Sequence, residues 1–560
     1  MKTMMRRTIS AVSALILAAA TAGYAQNGIN STVEVKRDYE GSVAKAVKSQ
    51  LYAPVDDSLL NFKLNFDYTT FYNPYKDLYE FSPIMTVGPA SEGRVVYPWL
   101  YARLAASFPL APSADLYVTP RLGEKFSFGI YANHDSFWGR LPQVRFAGGN
   151  AVADGQKISG SRMKNKAGAD FGFRWKKGEL RLGASYAAGR YALASAEGVY
   201  PAVRFNTFDH LNSVLTVRST NPDPSSFYYD LNLGYRYFGN RMSIVDHLVD
   251  ADLSLGAAIK SEHKVYLRFS GTFSDYGVWK IAPVYRWERD RWRVNAGVTF
   301  SSAYGGINDG FSGIIRNSNR FLVYPDASVD FEAARNALWL YLKAYGENKL
   351  HTLYDLFAIN PWMDNSDSPQ LASVPIAAEL GLKGQVRDRF SYTLGLNYSY
   401  ARNMLSFMSQ QQGQHMYQIL AGGETHVFTA SGVLRWKSMD FFALAEVNYR
   451  GFSNPDAALM MPAFDLSAVL EYNLRQRLFI RADCYFRTST EGKAFTASSQ
   501  QALTYRVPAF VDVGLRISYA FNTRVMAFVE GNNLANSRLQ YFLGYVEPGI
   551  NIGAGICLKL

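Results

Sequence analysis

The chain has 560 residues and a formal charge of +11, but only 19% of its residues are charged and 15% are aromatic. Soluble domains usually carry about 25% charged residues. A mean hydropathy of −0.12 is too low for a bundle of membrane helices, so apolar and polar residues must be interleaved. Two cysteines exclude a disulfide-dense scaffold and a four-cysteine zinc site, and the seven histidines show no metal-ligand spacing. Without a Lys/Arg-rich run, the basic charge gives no support for nucleic-acid binding.

Residues 1–25 read as a signal peptide. Lys2, Arg6 and Arg7 precede an apolar run from Ile9 to Ala22, and Gly23-Tyr24-Ala25 supplies small residues for cleavage after Ala25. The run is shorter than the ~20 residues of a spanning helix. Cleavage removes those three basic residues and no acidic one, which takes the charge from +11 to +8. Residues 26–96 are expected to form a short periplasmic or lumen segment. Within it Leu60, Phe62, Leu64 and Phe66 alternate with Asn61, Lys63, Asn65 and Asp67. Asn73-Pro74 and Ser82-Pro83 then break the chain, which favours a small lumen-side or rim element over an extra wall strand.

From residue 97 onward the pattern has period two. Phe390, Tyr392, Leu394, Leu396, Tyr398 and Tyr400 alternate with Ser391, Thr393, Gly395, Asn397 and Ser399. Such a run is a strand with one apolar face. Strands are expected near 97–107, 113–121, 124–135, 164–176, 179–191, 209–219, 227–238, 250–260, 264–274, 277–287 and 291–303. They continue near 320–333, 337–349, 375–386, 389–402, 425–437, 439–451, 462–474, 477–488, 508–521, 524–533 and 549–560. Tight turns such as Arg387-Asp388-Arg389 and Arg475-Gln476-Arg477 alternate with long connections near 136–162, 192–208, 304–319, 351–374, 403–424 and 490–507. Short periplasmic turns and long outer loops are the rhythm of a transmembrane antiparallel β-barrel. The fold expected over 97–560 is therefore an all-β barrel of about 22 strands. A soluble sandwich would alternate too, but its outward faces would be charged.

Parity assigns the faces. Leu, Phe and Tyr are expected toward lipid, with tyrosines such as Tyr235, Tyr237, Tyr398 and Tyr400 in interfacial girdles. Arg174, Arg181, Asp230, Arg236, Arg481, Asp483, Asp512 and Arg516 then face the lumen, together with Asp170. They form either a bracing network of ion pairs or a path that favours anions. Cys484 shares the lipid register and Cys557 the lumen register, so a disulfide is not expected. His134-Asp135 and Asp209-His210 place base beside acid, but adjacent strand residues point to opposite faces. No Gly-x-Ser-x-Gly elbow or phosphate loop is present, and neither an enzyme nor a cofactor is expected. Met404, Met408, Met416, Met460 and Met461 read as flexible filler, or as a grip on apolar partners or soft metals.

Phe528-Val529-Glu530-Gly531-Asn532-Asn533-Leu534, Gly544-Tyr545-Val546-Glu547-Pro548-Gly549 and the alternating Ile550 to Leu560 resemble the end of TonB-dependent receptors. Tyr131 to Gly139 (YANHDSFWG) and Phe227 to Tyr235 (FYYDLNLGY) look like plug-less receptor-like barrels of the Bacteroidota, a resemblance that runs from about Asp57 to Leu560. It implies an outer membrane barrel for solute binding or passage, exported and then inserted by the barrel-assembly machinery. Outward Ile556, Leu558 and Leu560 suit the terminal signal that this machinery reads, although Leu560 stands where an aromatic is usual. The family's plug domain is missing before the first expected strand, so a non-transporting scaffold that docks a surface lipoprotein or an assembly partner is the rival reading. Outer membrane lipid and lipopolysaccharide are the remaining expected partners.

Overall fold

The computed structural model describes residues 99–560, apart from short internal stretches, chiefly 195–202, 220–226, 309–313, 316–319 and 410–415. The signal peptide and the 26–96 segment lie outside the described residues. Each of the 22 expected strands is present, within a few residues at most ends and with the longer extensions given below. The first runs over Leu100–Phe108 and the last over Asn551–Lys559. Neighbours pair antiparallel around a ring. The ring closes where Tyr101 to Phe108 pair with Lys559 to Ile552, and reciprocal hydrogen bonds join the Leu100 and Leu560 backbones.

The alternation sorts side chains as the period requires. Leu394 and Leu396 are 43% and 45% exposed on the outside, whereas Asn397 and Ser399 on the inside are 3% and 0% exposed. Across the ladder, outward residues meet outward residues: Leu394 pairs with Leu382, and Leu396 with Leu380. Exposed Leu, Val and Ile side chains recur on this face in strand after strand. It is an apolar band that only lipid can cover.

The polar face carries ion pairs and aromatic side chains lying on glycines. Tyr341 donates to Glu379 at 2.8 Å and lies over Gly381, where an added Cβ would meet its ring at 2.6 Å and the Leu394 carbonyl at 2.2 Å. Only a glycine lets the tyrosine lie flat there.

The two rims differ in build. At the rim that holds both ends of the barrel, most turns are only a few residues long, as at Lys176-Lys177 and Arg475-Gln476-Arg477. At the other rim the sequence expectation needs correction. The stretch 136–162 is not an irregular loop. Strands Phe126–Ala147 and Asn150–Trp175 continue through it to a Gly148-Gly149 turn, with φ of 56° and 73°, the left-handed pair that a tight hairpin needs. The connections 403–424 and 490–507 hold hairpins, Leu405–Ser409 with Tyr417–Ala421 and Thr490–Thr496 with Ser499–Val507. A helix, Leu353–Ile359, lies in 351–374. Alternation in the wall reports a lipid face, and these pieces never meet lipid, so they give no such signal.

The face assignment predicts opposite outcomes for one substitution. Leu396→Arg and Ile517→Arg place a charge toward lipid, which costs roughly 2–4 kcal/mol near the midplane. Thr393→Arg, on the inner face, should assemble normally. The measurement is the fraction of heat-modifiable barrel on unboiled gels. Equal yields for all three would contradict the register.

Candidate functional site

The expected lumen residues fall on the inner face, and most are engaged there. Arg236 grips Asp250 with two nitrogens, at 2.5 and 2.8 Å, and Thr272 donates to the same carboxylate at 2.7 Å. Arg174, Arg181 and Arg218 converge on the buried Glu179. Arg481 pairs with Glu471 at 3.2 Å and approaches Asp483 at 4.0 Å. Asp230 accepts from Asn232 at 3.1 Å. Arg516 binds Glu530, which Arg103 also reaches at 3.6 Å while holding Asp115 at 3.1 Å. Both guanidinium groups lie over the Phe528 ring, at 5.2 and 5.0 Å. This clasp spans the strands on either side of the closing seam. Asp512 sits opposite Tyr485. At the last strand, Ile556 and Leu558 face outward and Leu560 is exposed.

The flanking acid–base pairs separate as expected. Asp209 accepts from Tyr186 at 2.6 Å, whereas His210 is buried inside and stacks on Tyr354 at 3.6 Å. Both cysteines are free. Among the described residues, no group of three or more His, Cys, Asp or Glu side chains is placed to hold a metal ion.

The larger feature is at the long-loop rim. Strand spacing of about 4.8 Å and a tilt of roughly 40° give a 22-strand ring a diameter of about 44 Å. Inward side chains cannot fill that width. The long connections fold over it and pack into apolar clusters, the main one of which gathers the 351–374 and 403–424 connections.

The helix Leu353–Ile359 starts this cap. Thr352 and Asp355 form a reciprocal capping box, which satisfies the helix's first N–H groups. Leu356, Phe357 and Ile359 are buried, at the one-turn spacing of an amphipathic helix. Phe357 packs on Phe238 at 5.5 Å. Beyond the helix, Trp362 meets Tyr191 at 5.9 Å and Tyr545 at 6.2 Å. Tyr191 belongs to Gly178–Ala194, the fifth strand of the ring, and Trp362 to the connection that enters Gln370–Val386, the fourteenth. The contact therefore crosses the lumen.

Other loops lock the same core. Tyr417 donates to the Leu543 carbonyl at 2.7 Å, and its backbone bonds to those of Trp362 and Asp364. Phe542 packs on Phe407 and Tyr417, each at 5.8 Å. Single backbone bridges join loop to loop: Ser409 with Ala494, Arg506 with Asn150 and Asn308 with Gln370. Burial raises the hydroxyl pKa values of Tyr417, Tyr541 and Tyr545 above the ordinary tyrosine range, so these groups stay neutral. A crevice with room for about one water molecule remains between cap and wall, lined by Phe137, Leu141, Trp362 and Tyr545, with Arg162 and Glu547 at its polar side.

Four of the five methionines read as filler lie in or beside these cores, while Met416 accepts from Arg204 at 2.8 Å. Met404 and Met408 are buried, Met460 joins a second cluster with Tyr505 and Leu543, and Met461 packs against the main one. Sequence reasoning missed Trp362, Tyr417 and Tyr545. One available signal was Thr352-x-x-Asp355 ahead of Leu356 and Phe357, a helix start with paired apolar residues inside a supposed loop.

No protein-family model matches the sequence, and no curated protein matches it significantly. Solved structures do share the fold. The FrpB iron transporter from Neisseria meningitidis (F3-3 variant) is 10% identical with a TM-score of 0.61, over 83% of this chain and 82% of that one. The siderophore receptor PirA from Acinetobacter baumannii is 10% identical with a TM-score of 0.57, over 83% and 81%. The copper transporter OprC is 11% identical with a TM-score of 0.56, over 82% and 80%. The chain is thus an outer membrane β-barrel with the fold of TonB-dependent receptors.

The Trp362 contacts predict that the cap can be loosened without the wall. Trp362→Ala removes a buried anchor, at about 3–5 kcal/mol for such truncations. Chymotryptic cleavage within 352–369 should speed up severalfold while the unboiled gel mobility of the barrel stays unchanged. Cleavage at the wild-type rate would mean that Trp362 does not hold the loop.

Proposed function

We propose that this protein is a solute receptor and passage barrel whose outer loops form its gate. The observation that carries the reading is the apolar cap laid across the mouth of a wide ring with a polar inner wall. A barrel that served only as a membrane scaffold would need neither the width nor loops joined across it. The shared fold with proteins named as an iron transporter, a siderophore receptor and a copper transporter supports solute handling at the outer surface. Beside Trp362 and Tyr545 the Arg162–Glu547 pair, 3.5 Å apart, ties the wall to the loop that follows the last-but-one strand.

Lifting the helical connection would expose Leu356, Phe357, Trp362 and Met363. At roughly 1.5–3 kcal/mol per large apolar side chain, that is a barrier on the order of 6–12 kcal/mol. Spontaneous opening is rare on this scale, so binding free energy or a concerted loop movement must drive it.

The Ser409–Ala494 bridge offers the test, because both residues are small and their backbones already pair. Ser409→Cys with Ala494→Cys should form a staple between two loops. In planar bilayers, deletion of residues 353–363 should raise conductance well above that of the intact protein. The staple should hold conductance at or below the intact level until a reductant is added. If the deletion variant inserts normally and stays silent, the lumen is sealed below the loops and the scaffold reading takes its place.

A further inference from the structure

We propose that the short-turn rim is a collar for anionic phospholipid headgroups of the inner leaflet. Three turns distributed around the ring carry Lys176-Lys177, Arg387-Asp388-Arg389 and Arg475-Gln476-Arg477. They follow the fourth, fourteenth and eighteenth wall strands. All six basic residues are exposed. No ion pair among the described residues uses them, whereas Arg289, on another turn of the same rim, pairs with Glu262 and Asp290.

Backbone geometry supplies an independent argument. Arg387, Arg475 and Gln476 have φ of 51°, 52° and 58°. In the left-handed region a non-glycine side chain is held at a disadvantage, and glycine or asparagine is the favoured occupant. Arg387 and Arg475 thus occupy turn positions where glycine or asparagine would sit with less strain.

The neighbouring side chains fix the depth of the collar. Trp292, Trp436, Tyr472, Tyr519 and Phe521 are exposed near the same ends of their strands, as an interfacial aromatic girdle is. Basic groups just beyond such a girdle lie at the level of lipid phosphates. Arginine and lysine close to an anionic lipid surface attract it by charge alone, and the attraction decays within a Debye length. Because the basic turns are spread around the ring, they match a continuous shell of lipid better than one docked protein.

The test uses the full chain refolded into vesicles of phosphatidylcholine with one quarter phosphatidylglycerol, then extracted in mild detergent. The lipid that stays bound is measured by mass spectrometry. Wild type should retain phosphatidylglycerol severalfold above its share, and 0.5 M salt should abolish the excess. A sixfold variant, Lys176→Gln, Lys177→Gln, Arg387→Asn, Arg389→Gln, Arg475→Asn and Arg477→Gln, should fold to the heat-modifiable form and lose the excess. Asparagine suits the left-handed positions, so the turns are preserved. A second variant with lysine at the four arginine positions should keep the excess. Equal phosphatidylglycerol in wild type and the neutral variant would overturn the proposal. So would cosedimentation with purified cell-wall sacculi that depends on the six residues while lipid composition does not, since the collar would then face peptidoglycan.

Discussion

The structure depends on one requirement, that no backbone N–H or C=O be left unpaired in hydrocarbon. Each unsatisfied group costs several kcal/mol there, and a closed ring of strands is one of the two backbones that avoid it. The pairing of Leu100–Phe108 with Asn551–Lys559 removes the last two edges, and the Arg103, Arg516, Glu530 and Phe528 clasp sits on the inner side of that closure. The period-two side-chain pattern follows from the same geometry. Once every strand is upright in a wall, alternate residues must suit lipid and lumen.

Closure creates the next problem. A ring wide enough to join 22 strands encloses more space than inward side chains fill. The chain answers at the outer rim with material that is organised like a soluble protein. It has a capped helix, hairpins and an apolar core in which Trp362, Tyr417, Phe542 and Tyr545 pack together and Trp362 reaches Tyr191 of the far wall. The molecule thus has two hydrophobic systems. The apolar surface of the wall faces outward to lipid, and the apolar core of the cap is buried within it.

That division explains what could be read from the sequence. Strict alternation, as in Phe390 to Tyr400, is imposed by a two-sided environment, and it located all 22 wall strands. Arg236 and Arg516 were placed by parity alone. Their pairing with Asp250 and Glu530 does not follow from parity, because cross-strand register depends on turn geometry. Met404 and Met408 were noticed but read as filler, since core residues on irregular loops have no period. The outer hairpins were hidden because they divide their faces between other loops and solvent, as at exposed Leu503, and have no lipid side to impose a long alternation. The interlocking of loops across the mouth was not legible, since contacts such as Tyr191 with Trp362 depend on where the ring brings its far side.

The closing seam also bears on how the molecule is made. The Tyr101 hydroxyl and the Cys557 sulfur, which meet diagonally across it at 3.6 Å, are 456 residues apart in the chain. Bringing such distant ends together costs about 5 kcal/mol of chain entropy, plus a constant, and none of it is recovered until the last strand has been synthesised and aligned. Up to that moment the growing sheet has two open edges, the state most prone to pair with another chain. Strand pairing elsewhere in the wall is local and fast by comparison. The slow, hazardous step of biogenesis is thus the joining of the first and last strands. A catalyst that shields both edges until they meet would act at that step.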